Sequence, residues 1–301
     1  MSDASIAAPA ARQGPGRMPP AAVAQIDVML SRRAGGVLPG EHRTLGVGTG
    51  TELAQLRPYE PGDDLRQLDA AASARTAVPH VRQQVPERAM TTWLVLDVSA
   101  SMAFGTGDRL KADVAEGVAL AMGQVAVRRG GRLGLATCGA ARPRLLPPRG
   151  GRGAIAGVRR LVEEGIASDD VATPVALEET LSRLHRLART RGLVVVASDL
   201  RDDGWQIPLR RLAGRHSVVV VEISDPREGE LPDAGQLVLV DPETGQQVHA
   251  DTSSPRLRRE FAAAERRRRD DVRAAIRRAG ADHVALSTSG DWLRELARRL
   301  R

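Results

Sequence analysis

From Thr91 onward the apolar positions alternate between two textures. Trp93–Val98, Leu133–Cys138, Leu193–Ser198 and Ser217–Ile223 are near-continuous apolar runs of strand length, the pattern of strands covered on both faces. Between them, apolar residues recur every three or four positions, as on one face of a helix. Leu110, Val114, Val118, Ala121 and Val125 predict a helix over Arg109–Arg128, with Asp108 as its cap. Leu177, Leu181, Leu184 and Ala188 predict another over Pro174–Arg189. Ala154–Glu164, Ile207–Ala213, Pro255–Ala279 and Trp292–Leu300 complete the helical set, and His283–Leu286 is a last strand. Arg142–Leu146 reads as an edge strand beside Pro147 and Pro148, because proline cannot donate to a ladder. This alternation predicts an α/β fold: a Rossmann-like, doubly wound, mostly parallel sheet over residues 91–301. Residues 225–252 interrupt it. There, Leu237–Val240 and Gln247–Ala250 flank Asp241-Pro242-Glu243-Thr244-Gly245, which predicts a small hairpin insertion.

Upstream the pattern fades. Residues 1–22 are rich in Ala, Pro and Gly and have no period, so a disordered tail is expected. A lead-in segment spans residues 23–90, with Val23, Ile26, Met29 and Leu30 on one face of a short helix over Ala22–Arg32. Residues 35–50 are glycine-rich and loop-like. Pro61-Gly62 marks a turn, Asp63 or Asp64 caps a helix expected to reach about Ser73, and Val78–Val85 is extended. The lead-in is thus expected to be irregular and to contain β structure.

Composition adjusts this picture in three ways. Aromatic residues are only 2%, so the core must be built from Val, Leu, Ile and Ala, as helix-covered parallel sheets are. The net charge of +7 rests almost entirely on arginine, with Lys111 the only lysine. That balance permits contact with nucleic acid or acidic proteins, and coding bias alone accounts for it equally well. The single cysteine, Cys138, excludes an intrachain disulfide and a cysteine-rich zinc site; its apolar run makes it a buried strand residue. No apolar run approaches the roughly 18 residues of a membrane span. The N-terminus lacks a basic stretch followed by an apolar one, so neither a span nor a signal peptide is expected, and the expected location is cytoplasmic.

The candidate chemistry lies where strands end. Asp97, Ser99 and Ser101 form Asp-x-Ser-x-Ser at the C-terminal end of the first strand of the sheet. In open α/β sheets, the loops at that edge converge on a crevice where strand order reverses. Thr173 precedes a helix that opens on Pro174, and Asp199 follows the strand Leu193–Ser198. These five residues offer two carboxylates and three hydroxyls. Hard oxygen donors without sulfur or imidazole suit Mg²⁺ or Mn²⁺ rather than Zn²⁺. Each has a plainer role as well, since Ser and Asp form turns after strands and Thr-Pro is an ordinary helix start.

In this order, Asp97-x-Ser99-x-Ser101, Thr173 and Asp199 resemble the metal-ion-dependent adhesion site (MIDAS) of von Willebrand factor A domains. The lead-in Arg57-Pro58-Tyr59-Glu60-Pro61-Gly62-Asp63-Asp64, with Ala74-Arg75-Thr76, resembles the bacterial family called domain of unknown function 58, which carries such a domain. The resemblance covers about residues 30–301. It implies a von Willebrand A-like sheet and a metal shell completed by an acidic residue of a partner protein. It also implies an adaptor or assembly role beside MoxR-type AAA+ ATPases. Val171-Ala172 stands where the family often has glycines, and Leu68-Asp69-Ala70 where it often has an aromatic residue.

Two other functional classes are compatible with the residues. A metal-dependent phosphohydrolase would use Asp97 as nucleophile, although Asp97-Val98-Ser99 lacks the second aspartate of two-carboxylate phosphatases. A nucleic-acid binder would use the arginine-rich helix around Arg266–Arg269, where stacking aromatics are absent and acidic neighbours suggest internal ion pairs. The expectation is a non-enzymatic protein-interaction module, with no catalytic residue and with nucleic acid not the expected partner. The six histidines share no metal-ligand spacing, and Arg149-Gly150-Gly151-Arg152-Gly153 lacks a Walker ending.

Overall fold

The computed structural model describes residues 14–16, 19, 21, 23–27, 53–84, 90–163, 175–240 and 246–300. They divide into two units, a small one within residues 36–89 and a large one comprising the rest.

In the small unit, β1 (Leu53–Pro58) and β2 (His80–Gln84) pair antiparallel. Pro61-Gly62 turns the chain as expected, with Gly62 at φ +110°, a region that only glycine enters freely. Asp63 does not cap a helix. It accepts from Arg57 Nη2 at 2.5 Å and from the Glu60 N–H at 2.9 Å, closing the turn onto β1. The single expected helix is two elements. Asp64 caps a 3-10 turn at Leu65–Gln67, and Asp69 caps α1 (Ala70–Thr76) through the Ala72 N–H. Two capping aspartates five residues apart split a stretch whose periodicity alone looked continuous.

The large unit contains a six-stranded sheet: β3 (Thr91–Asp97), β4 (Arg132–Cys138), β5 (Leu145–Gly150), β6 (Gly192–Ser198), β7 (Ser217–Ser224) and β10 (Asp282–Ser287). The spatial order is β10-β7-β6-β3-β4-β5, all parallel except β5, which runs antiparallel along β4 at the edge. The edge strand starts later than its apolar residues suggested and includes Pro147 and Pro148. An edge tolerates this, because a proline's missing N–H can face away from the ladder. β8 (Gln236–Val240) and β9 (Gln247–Asp251) form the expected antiparallel hairpin; its turn, 241–245, lies outside the described residues.

Period-two alternation divides the core. Leu94, Leu96, Val195, Val219 and Val221 face one side, against α2 (Lys111–Arg128), α3 (Arg152–Glu163) and α7 (Trp292–Arg299). Trp93, Val95, Val194, Val196 and Val220 face the other, against α4 (Leu177–Leu187), α5 (Gln206–Ala213) and α6 (Pro255–Ala279). Both faces are therefore dry, which is why these strands read as unbroken apolar runs. Val23 and Ile26, in the short helical stretch at 23–27, are buried in the first of these clusters. The rest of that expected helix and the 35–50 loop lie outside the described residues. Among the described residues no helix is long and apolar enough to cross a membrane.

Two helix starts differ from expectation. α2 begins at Lys111, and Asp113, within its first turn, accepts from the Leu110 N–H at 3.0 Å. Asp108 instead accepts from the Gly290 N–H at 2.7 Å, tying this loop to the one before α7. α4 begins at Leu177, and its N–H is taken by Asp202 Oδ2 at 3.0 Å.

Candidate metal centre

β3 and β6 are the adjacent central strands, and strand order reverses between them, so their C-terminal ends meet at the switch point where such topologies place a crevice. Asp97 ends β3, and the chain then enters a 3-10 turn at Ala100–Ala103. The turn packs closely on the loop after β4. A Cβ on Gly139, which sits at φ +80°, would lie 2.4 Å from the Ser99 nitrogen, so only glycine fits there. The Val175 carbonyl accepts from the Gly139 N–H at 2.8 Å, pinning the approach to α4 beside the same loop.

Asp97 is buried. Its Oδ1 accepts from the Ser99 N–H at 2.9 Å and its Oδ2 from the Ser198 hydroxyl at 2.6 Å. The Ser99 and Ser101 hydroxyls, both buried, lie 3.1 Å apart. Asp199 is buried beside them, near enough for the Ser101 hydroxyl to help hold its carboxyl down. Leu200, next in the chain, holds a left-handed backbone at φ 54° while its side chain packs in the core. That conformation costs energy for a bulky side chain, and it turns the chain just after Asp199.

Two buried carboxylates at one site repel. Burial, and then the neighbouring Asp199 charge, push the Asp97 carboxyl up to about 7. Burial also pushes Asp199 up, but the Lys111 ammonium, with the Ser101 hydroxyl and Arg201, reverses this and holds it below the ordinary range. Lys111 Nζ lies 2.7 Å from Asp199 Oδ2 and 2.6 Å from Glu228 Oε1. Cys138, beside the site, is a buried thiol that burial and the Asp97 charge push well up, which makes it a poor nucleophile.

Four of the five expected ligands, Asp97, Ser99, Ser101 and Asp199, therefore come together at one sheet edge. The fifth, Thr173, lies outside the described residues, as do Val171, Ala172 and Pro174. Among the described residues no three His, Cys, Asp or Glu side chains are grouped to hold a metal, so a cation here would depend on hydroxyls as well as the two carboxylates. An all-oxygen set of this kind fits a hard divalent ion that keeps several waters.

Three participants escape a motif reading. Ser198 is the last residue of β6 and looked like one more position of a buried run. Glu228 belongs to Asp225-Pro226-Arg227-Glu228, a capping box legible as such, but its reach to Lys111 is not. Lys111 carried a signal, as the only lysine of the chain. In α6, Arg268 and Arg269 turn inward to Glu265 at 2.9 and 3.1 Å, so half of the Arg266–Arg269 run is internal ion pairing.

A family model described as Protein of unknown function DUF58 matches residues 55–271. The uncharacterized protein Rv1480 of Mycobacterium tuberculosis is 38% identical over 285 residues, spanning 92% of this chain and 87% of that one. Among solved structures, the conserved hypothetical protein BatB from Bacteroides thetaiotaomicron is similar at TM-score 0.45 and 14% identity, covering 70% of this chain and 97% of that one. The SpRpn10 VWA domain is similar at TM-score 0.33 and 16% identity, covering 69% of this chain and 93% of that one. By the span of the family match and the identity to the mycobacterial protein, the chain belongs to the family Protein of unknown function DUF58.

Proposed function

We propose that this protein is a non-enzymatic interaction module that holds Mg²⁺, or Mn²⁺, at the end of β3 and captures an acidic side chain of a partner protein. The reading is carried by the convergence of Asp97, Ser99, Ser101 and Asp199 at the crevice between β3 and β6. Ser99 and Ser101 would ligate directly, Thr173 would join them, and Asp97 and Asp199 would orient bound water. Bound there, the ion supplies an electrophilic position for an incoming carboxylate. The hydroxyls neutralise none of its charge, and the carboxylates, kept at one remove, neutralise less than direct ligands do. The partner class implied by the family resemblance is a MoxR-type AAA+ ATPase, with the protein acting as a cytoplasmic adaptor in assembly or maturation.

The phosphohydrolase reading gains nothing from the site. Both oxygens of Asp97 already accept hydrogen bonds, and the nearest buried cation, Lys111, is taken up by two other carboxylates. The nucleic-acid reading is weakened by the inward turn of Arg268 and Arg269.

The test is affinity capture of a MoxR-type ATPase by wild type and Asp97→Ala, each with Mg²⁺ and with chelator. Retention by wild type with Mg²⁺ only is expected. Equal retention in all four arms, with the variant folded, would remove the cation from recognition.

A further inference from the structure

Lys111 has no exposed surface, and every other basic residue of the Lys and Arg set is arginine. Its ammonium sits between Asp199 Oδ2 at 2.7 Å and Glu228 Oε1 at 2.6 Å. Burying an ammonium is costly unless carboxylates compensate it, and here two do. The residue type matters. An ammonium is a compact point charge that can bridge two single oxygens, whereas a planar guanidinium reaches them only as a fork. Arg201 approaches the same two carboxylates from a partly exposed side chain, at 3.8 and 3.4 Å, and leaves Lys111 as the close partner.

The two carboxylates are held differently. Asp199 belongs to the candidate cation site, beside the Ser101 hydroxyl. Glu228 lies outside that site and is anchored through its other oxygen, Oε2, by the Asp225 N–H at 2.9 Å. Lys111 itself sits at the first position of α2, ten residues after Ser101, so one loop delivers both a hydroxyl and an ammonium to Asp199. A divalent ion arriving beside Ser99 and Ser101 thus meets a carboxylate already neutralised by a unit charge that the chain supplies.

We propose that Lys111 is a tethered counter-cation of this site, which holds Asp199 when no divalent ion is bound, competes with the ion for that carboxylate, and withdraws toward Glu228 when the ion enters. The inference rests on the cation-site reading of Asp97–Asp199. It adds that the site is tuned to bind its ion weakly by itself, which leaves room for a partner's carboxylate to complete the binding. Glu228 is the second seat, and its strength sets how readily the ammonium gives up Asp199.

Calorimetric titration with Mg²⁺ alone tests this, on full-length wild type, Lys111→Met, Glu228→Gln, the double variant and Asp97→Ala. Melting is followed in parallel. Lys111→Met should bind Mg²⁺ about tenfold or more tighter than wild type, since a unit charge within a few ångströms is removed. Its metal-free form should melt lower than wild type and recover with Mg²⁺. Glu228→Gln should bind several-fold more weakly, and this loss should vanish in the Lys111→Met background, where no ammonium remains to be handed over. A folded Lys111→Met with wild-type affinity would overturn the proposal, as would a Glu228→Gln effect that persists unchanged without Lys111. If Lys111→Met does not fold, Glu228→Gln decides the matter, and unchanged or tighter binding there overturns the proposal. Binding by wild type that is lost in Asp97→Ala keeps the cation site even if Lys111 fails. No binding by any folded protein at millimolar Mg²⁺ overturns both readings.

Discussion

Asp97 and Asp225 are both buried aspartates at the C-terminal edge of the same sheet, yet they are opposites. Asp225 follows β7 and collects four donors. Its Oδ1 accepts from the Thr106 hydroxyl at 2.6 Å and the Arg227 N–H at 2.9 Å, and its Oδ2 from the Thr106 N–H at 2.7 Å and the Thr288 hydroxyl at 2.6 Å. Burial pushes its carboxyl up, but these donors outweigh burial and hold it below the ordinary range. It joins the loop after β3 to the loop after β10 and is structural. Asp97 accepts from the Ser99 N–H and the Ser198 hydroxyl, with the Ser99 hydroxyl also beside it, and has a carboxylate neighbour and a carboxyl pushed up to about 7. Burial thus carries opposite meanings at the two positions. A charge whose donors saturate it is a knot, and a charge left in excess is a place for a cation.

The comparison can be broken most directly with asparagine. Each oxygen of Asp225 accepts from a backbone N–H, so either amide orientation of Asp225→Asn sets an NH₂ against a donor that cannot rotate. A loss of about 2–4 kcal/mol is expected in urea unfolding of the metal-free protein. Asp97→Asn keeps its oxygen on the Ser99 N–H and turns its NH₂ to Ser198, whose hydroxyl can rotate to accept. It also removes the repulsion with Asp199, so its stability should stay within about 1 kcal/mol of wild type or rise. Equal losses from the two substitutions would erase the distinction.

The pH dependence sharpens it, because the two shifts have opposite signs. Asp97 binds its proton more tightly when folded, so between its ordinary carboxylate value and about 7 the native state carries the extra proton. Metal-free stability should therefore fall as pH rises through that window, and Asp97→Asn should flatten the fall. Asp225 binds its proton less tightly when folded, so its contribution is present above the ordinary carboxylate value and is lost as pH falls below it through the lower folded-state value. Asp225→Asn should flatten that acid limb only. Difference curves of unfolding free energy against pH, variant minus wild type, read both.

The smallest effect belongs to a third carboxylate, Glu295 on α7, held near 2 by the Arg298 and Arg299 side chains bonded to it. These pairs lie at the surface, where water screens them and side-chain ordering offsets their gain. Glu295→Gln should change the melting temperature by no more than a degree or two, equivalent to less than about 1 kcal/mol. A larger loss would mean that a low carboxyl value marks a structural knot even at the surface.

How much was legible follows the range of each interaction. The buried strands and the long α6, from Pro255 to the left-handed Gly280, could be read from local pattern, because periodicity and caps act within a few residues. The lead-in was harder, because Asp64 and Asp69 could each cap a helix and nothing local said that both did. Asp97, Ser99 and Ser101 were visible as a motif because they adjoin in sequence. Lys111, Ser198 and Glu228 were not, because the contacts that give them meaning span 88, 101 and 117 positions.

By itself, then, the amino-acid sequence determined the alternation of strands and helices and hence a sheet covered on both faces. It also determined that oxygen-bearing side chains cluster just after the first strand in the large unit, since side-chain period and turn chemistry are local properties of the chain. Only the tertiary structure decided which charge stands beside which. Placing β6 against β3 brings Ser198 onto Asp97, and folding α2 across the sheet buries the only lysine between Asp199 and Glu228. Electrostatic meaning at a buried site depends on distance and desolvation, and neither exists until the chain has closed around the charge.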